Sequence, residues 1–85
     1  MAFLLPKWLT KRYALLYEKF RMNPFTYEEA KKVLQENDEL VIVVISALKK
    51  SGWIKSDRNP KDRRTRIYKL INPQKAMMEI AKENA

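Results

Sequence analysis

The stretch LKKSGWIKSDRNPKDRRTRIYKLI, residues 48–71, decides how the chain is read. It holds the only glycine of the 85 residues, Gly52, just after the pair Lys49-Lys50. Lysines suit the negative end of a helix, and a glycine just past that end accepts the left-handed backbone that closes it. Beyond Gly52 the pattern changes to β-favouring residues at 53–57 and again at 64–71, with Asn59-Pro60 as a turn signal between them. A helix therefore gives way to a β-hairpin over residues 53–71, with a long charged tip expected at residues 58–63.

Upstream, Leu40 to Leu48 is almost wholly apolar. Its β-branched run from Val41 to Ile45 has strand propensity. The apolar stretch nevertheless continues through Ala47-Leu48 to the lysines, and a helix is expected. At about 100° per residue, Val41, Val44, Ile45 and Leu48 share one face, which is the core face. Asn37-Asp38 supplies the N-cap. Thr26-Tyr27-Glu28-Glu29 is a capping box, with Phe25 and Ala30 at the staple positions, and opens a helix over 27–36. A first helix over 7–21 begins after Pro6 and carries the stripe Leu9, Tyr13, Leu16, Tyr17 and Phe20, until Asn23-Pro24 ends it. Downstream, Asn72-Pro73 opens a last helix over 73–83 with the stripe Ala76, Met77, Ile80 and Ala81. The expected fold is mainly α with a small β-hairpin (α+β), in the order α-α-α-β-β-α, one domain over residues 1–85.

The net charge of +8 is concentrated. Residues 49–69 hold nine cations and two acids, a net +7, while residues 26–39 are net −3. A basic segment of this density favours a polyanion partner. With no cysteine and no histidine, thiolate and imidazole metal sites and histidine-based catalysis are excluded. One glycine is too few for a phosphate-cradling loop, and Glu28-Glu29 belongs to a helix cap. No enzyme activity, cofactor or metal is expected. No segment is long enough to span a bilayer and the start lacks a signal-peptide pattern, so a cytoplasmic chain without membrane contact is expected.

Two helices joined by a turn and followed at once by a hairpin make a winged helix-turn-helix, here with the helix-turn-helix at 26–51, the wing at 53–71 and a C-terminal helix at 73–83. Leu48-Lys49-Lys50-Ser51-Gly52-Trp53-Ile54 resembles the passage that ends the recognition helix and starts the wing in bacterial and archaeal regulators. Asn59-Pro60-Lys61-Asp62-Arg63-Arg64 is similar to the wing tip of multiple-antibiotic-resistance-regulator (MarR) type proteins, and Tyr68-Lys69-Leu70 resembles the motif that closes their wing, although Ile71 stands where they carry threonine. The resemblance covers about residues 25–71. It implies a transcription regulator that binds double-stranded DNA. Arg64 would enter the minor groove and Asp62 would order the tip. Lys55, Arg58, Lys61, Arg63 and Arg66 would contact phosphates. The long flanking helices that dimerise such regulators are mostly missing here.

The third helix is less suited to reading DNA. Its outward face carries Glu39, Val43, Ser46 and Lys50, flanked by Leu40, Ile42, Ala47 and Lys49. Base readout favours Arg, Lys, Asn and Gln. Val43 or Ile42 offers contact only to thymine methyls, and Glu39 repels phosphate unless it accepts from a cytosine amine. Two readings stand. In one, DNA binding is weakly specific and is carried by the wing with Ser46, Lys49, Lys50, Lys11 and Arg12. In the other, Leu40, Ile42 and Val43 meet a protein partner or a second copy of the chain. RNA is a further polyanion that the same wing would fit. Trp53 is expected in the core against the wing base, and Trp8 at a homodimer interface.

Overall fold

The computed structural model describes residues 2–83, with the side chains of Arg63, Arg64 and Glu83 outside that description. The elements are α1 (Lys7–Phe20), β1 (Phe25–Thr26), α2 (Tyr27–Leu34), α3 (Asp38–Lys50), β2 (Ile54–Asn59), β3 (Asp62–Leu70) and α4 (Pro73–Glu83). The order is thus α-β-α-α-β-β-α, which corrects the expected one by a strand. β1 pairs antiparallel with β3, Phe25 opposite Tyr68 and Thr26 opposite Ile67, giving a sheet in the order β1-β3-β2. The reason lies in the cap. An N-cap residue has an extended backbone, and Thr26 at φ −95°, ψ 168° can therefore end a strand and start a helix at once. Its hydroxyl accepts from the Glu29 N–H at 3.3 Å while the Glu29 carboxylate accepts from the Thr26 N–H at 3.0 Å, so the capping box is complete.

The helix ends fall where backbone hydrogen bonds can be closed. α2 stops two residues earlier than expected because Gln35 turns left-handed, at φ 53°, and donates its N–H to the Lys31 carbonyl at 2.9 Å. α1 stops at Phe20, and Arg21, at φ 55°, donates to the Tyr17 carbonyl. α3 is a helix despite its β-branched run. The Asn37 side chain caps it, and Gly52 at φ 80° follows its end. All four expected core residues, Val41, Val44, Ile45 and Leu48, are buried.

Trp53 joins the pieces of the core. It is 6% exposed and meets the Tyr13 ring edge-on at 5.0 Å. Its indole N–H donates to the Phe3 carbonyl at 2.7 Å. The Phe3 N–H in turn donates to the Ser51 carbonyl, so the segment before α1 straps the corner between α3 and β2. The Tyr13 hydroxyl donates to the Ile71 carbonyl at 2.7 Å, and burial, with a smaller contribution from Tyr17, pushes its pKa up to about 12. On α4 only Ala76 and Ile80 of the expected stripe are buried; Met77 is 57% exposed and Ala81 is exposed as well. One row at i, i+4 spacing reaches the body of the domain, so the apolar stripe is narrower than the sequence suggests.

The turn between α2 and α3 is held by a small polar network. Asp38 accepts from the Tyr27 hydroxyl at 2.8 Å and pairs with the Lys31 ammonium at 2.9 Å. These hydrogen bonds, Lys31 first, hold the Asp38 carboxyl below its usual value; Asp38 raises Lys31, and desolvation, with a smaller contribution from the Asp38 hydrogen bond, pushes Tyr27 up to about 12. A lowered carboxylate contributes stability above its unfolded pKa and loses it as pH falls through the folded one. The raised Lys31 and Tyr27 act in the opposite sense and lose theirs in strong alkali. The network is therefore expected to be whole from just above the carboxylate range to about pH 10. Thermal midpoints of the native chain and Asp38→Asn, compared across pH, check this. The gap between them should close as pH falls below the ordinary carboxylate range, and a gap independent of pH would rule the network out.

Candidate nucleic-acid interface

The strands of the wing run further than expected. β2 extends to Asn59 and β3 starts at Asp62, so the six-residue tip shrinks to Pro60 and Lys61. Pairing is in step from Ile54 opposite Leu70 to Arg58 opposite Arg66, then jumps to Asn59 opposite Asp62, so residues 63–65 of β3 bulge. Asn59 organises this tip. Its amide oxygen accepts from the Lys61 N–H at 2.9 Å and its amide nitrogen donates to the Thr65 hydroxyl at 3.2 Å. That hydroxyl donates to the Asp62 carbonyl at 3.3 Å. The family resemblance assigns the ordering of the tip to Asp62; Asn59 joins it here, and the signal for it in the sequence is the capacity of an asparagine side chain to bond the backbone two residues on.

Register sorts the wing cations by face. Residues directly opposite in an antiparallel pair lie on the same face, and alternate residues on opposite faces. Ile54 and Leu70 are buried and mark the core face. Arg58 and Arg66, each an even step away, lie on that face but are exposed, because the hairpin there has run past the core. Lys55 and Lys69 lie opposite each other on the other face. The expected set is therefore split: Lys55 does not share a face with Arg58 and Arg66, and Lys69, not singled out in the sequence, stands beside it. Asp57, on the Lys55 face, accepts from the Arg58 N–H at 2.8 Å. Lys61 is exposed at the tip. The side chains of Arg63 and Arg64 lie outside the described residues.

On α3, Ser46, Lys49 and Lys50 are exposed, as are Ile42 (55%) and Val43 (50%). Leu40 is not a surface residue of this kind. It is half-buried and packed against the core, because it stands one residue before Val41 at the edge of the buried face. Arg12 is also withdrawn from the surface cations. Its guanidinium donates to the Trp8 carbonyl at 2.9 Å and to Glu36 at 3.2 Å, and lies over the Trp8 ring. That ion pair ties α1 to the turn between α2 and α3. Among the described residues, no acidic cluster is placed to hold a metal ion and no helix is long and apolar enough to cross a membrane.

A helix-turn-helix, a basic hairpin past the core and a strand closing the sheet define a winged-helix protein. No family model matches the chain. Its fold is that of MarR-type regulators. A cysteine-to-serine mutant of E. coli MarR, solved with operator DNA, superposes with a TM-score of 0.68 at 24% identity, covering 88% of this chain and 51% of that one. AbfR of Staphylococcus epidermidis, solved bound to DNA, gives 0.64 at 20% identity over 92% of this chain and 58% of that one. In sequence the chain is similar to part of two Methanocaldococcus jannaschii proteins. It is 36% identical over 74 residues to the type I restriction enzyme MjaVII methylase subunit and 42% identical over 65 residues to the MjaVIII methylase subunit. These matches cover 84% and 76% of this chain but only 13% and 11% of those subunits.

Proposed function

We propose that the chain is a duplex-DNA-binding module of a transcription regulator, with its wing laid along the phosphate backbone. The observation that carries this reading is the cation–cation register of Arg58 opposite Arg66, both exposed, on the part of the hairpin that has run past the core. Like charges directly opposite on a sheet destabilise it. A polyanion converts that cost into binding energy. Arg58, Lys61, Arg63 and Arg66 contact phosphates and set the wing's position, Arg64 reaches into the minor groove, and Asp62 helps Asn59 to hold the tip. Lys49, Lys50 and Ser46 extend the contact along α3. The DNA named with the fold neighbours supports this reading, and so does the occurrence of similar segments in restriction-enzyme methylase subunits. A second copy of the chain covers exposed apolar side chains of the terminal segments, among them Leu4, Trp8, Leu15, Met77 and Met78.

A salt titration tests it. The four phosphate contacts of the wing alone give a slope of log K against log salt of about −3.6, roughly a hundredfold loss of affinity between about 50 and 200 mM salt, and Lys49 and Lys50 steepen it further. Fluorescence anisotropy with a labelled duplex reads this directly. Absence of binding at low salt, affinity indifferent to salt, or equal affinity for duplex RNA would each refute the assignment.

A further inference from the structure

On the premise that the chain binds duplex DNA, we infer that α3 reads the C5-methyl group of a pyrimidine in the major groove, with Ile42 and Val43 as the residues that determine specificity. α3 has 13 residues and none of them is Arg, Asn, Gln or His. The side chains that recognise adenine by paired hydrogen bonds are therefore missing from the helix that this fold offers to the groove, and the only guanine-reading type it carries is the lysine pair Lys49 and Lys50 in its last turn, away from the middle of the arc. Its outward arc is still well defined. At about 100° per residue, Glu39, Ile42, Val43, Ser46, Lys49 and Lys50 fall within roughly 120°, opposite the buried face that locks the helix in place.

The arc is ordered along its length. Glu39 stands near the start, Ile42 and Val43 follow one turn later, and the lysines end it, about 10 Å further on. Lys49 and Lys50 are thus spaced to hold a phosphate while the aliphatic pair rests on the groove floor. Two half-exposed β-branched side chains in a helix with few χ1 states form a stiff apolar surface. The matching apolar feature of the major groove is the pyrimidine C5-methyl. The acidic start of the helix fits the same target. Asp38 is occupied by Lys31 and Tyr27, whereas Glu39 lies exposed on the reading arc. A carboxylate there accepts from the cytosine N4 amine. Thymine carries the methyl alone, and 5-methylcytosine carries methyl and amine together. The shared ligand chemistry is the methyl group, and the two sources are separated by experiment.

Affinity of the full chain is measured for alternating poly(dA-dT) and for its deoxyuridine counterpart, which lacks only the methyl. A mixed duplex with cytosine or 5-methylcytosine is measured in parallel. Loss of the methyl is expected to weaken binding roughly fourfold per contact, either on exchange of thymine for uracil or between 5-methylcytosine and cytosine. The arm that responds identifies the source. The Ile42→Ser, Val43→Ser chain, whose changes are at exposed positions, should lose the methyl effect within each pair of duplexes and keep the native melting temperature and salt slope. If the native chain binds with the expected salt dependence but ignores the methyl in both arms, the methyl inference is overturned and the DNA reading stands. If no duplex is bound, both fall. A dimer that the double variant converts to monomer, without any methyl effect, overturns the inference in favour of a second copy on this face.

Discussion

Trp53→Ala is expected to lower the unfolding free energy by roughly 3–5 kcal/mol, the range for truncating a buried aromatic. A chain of this length has a total stability of about 4–13 kcal/mol, so the loss is a large share of the whole. The size follows from what Trp53 connects. Its ring fills the space against Tyr13 on α1. Its indole N–H holds the Phe3 carbonyl. Its backbone N–H donates to the Leu48 carbonyl and its own carbonyl accepts from Ile71, so it links the end of α3 to the end of the wing. Alanine keeps the backbone bonds but leaves a cavity and an orphaned carbonyl. Trp53→Phe isolates the second effect: most of the ring volume stays, and about 1–3 kcal/mol is expected from the lost hydrogen bond alone. Trp8, 42% exposed, is the control, and Trp8→Ala in the monomer should cost under about 1 kcal/mol. Urea unfolding followed by circular dichroism gives all three values. Equal losses at Trp8 and Trp53 would contradict the packing described.

What was legible in the sequence was what local chemistry fixes. The capping box at Thr26–Glu29, the Asn37 cap, the lysines before Gly52 and the Asn72-Pro73 start each act within a few residues, and each marks a real helix end. The β-branched stretch of α3 was readable because four of its apolar residues keep helical spacing and burial outweighs propensity. What stayed hidden depends on partners distant in sequence. β1 is two residues long and exists because Tyr68 and Ile67 lie alongside it. The wing strands run to Asn59 and from Asp62 because cross-strand pairing and the Asn59 side chain close the tip, which no period-2 pattern announces. Arg12 reads as a surface cation in the sequence, whereas in the fold Glu36 and Trp8 surround it. Of the candidate interface, charge was legible and direction was not. The sequence counts Lys55 with Arg58 and Arg66, whereas the register turns it to the other face.

That division of faces has a measurable consequence. The Arg58→Glu, Arg66→Glu chain is expected to lose duplex affinity by more than about tenfold at low salt, and its salt slope should fall by about 1.8, two contacts at roughly 0.9 each. Lys55→Glu, Lys69→Glu changes the net charge by the same four units on the same hairpin. If the wing met DNA as a diffuse basic patch, the two variants would weaken binding alike through their overall field. If the phosphates lie along the face of Arg58 and Arg66, only the first pair removes contacts, and the second should change the slope by much less than one. Both variants replace directly opposed like charges with other like charges, so the cross-strand repulsion persists and differential unfolding is not the source of a difference. Matched thermal midpoints would confirm that. The same slope change in both variants would mean that the register does not decide which cations touch DNA. A change in neither would remove the wing from the interface and leave Lys49 and Lys50 on α3 to carry it.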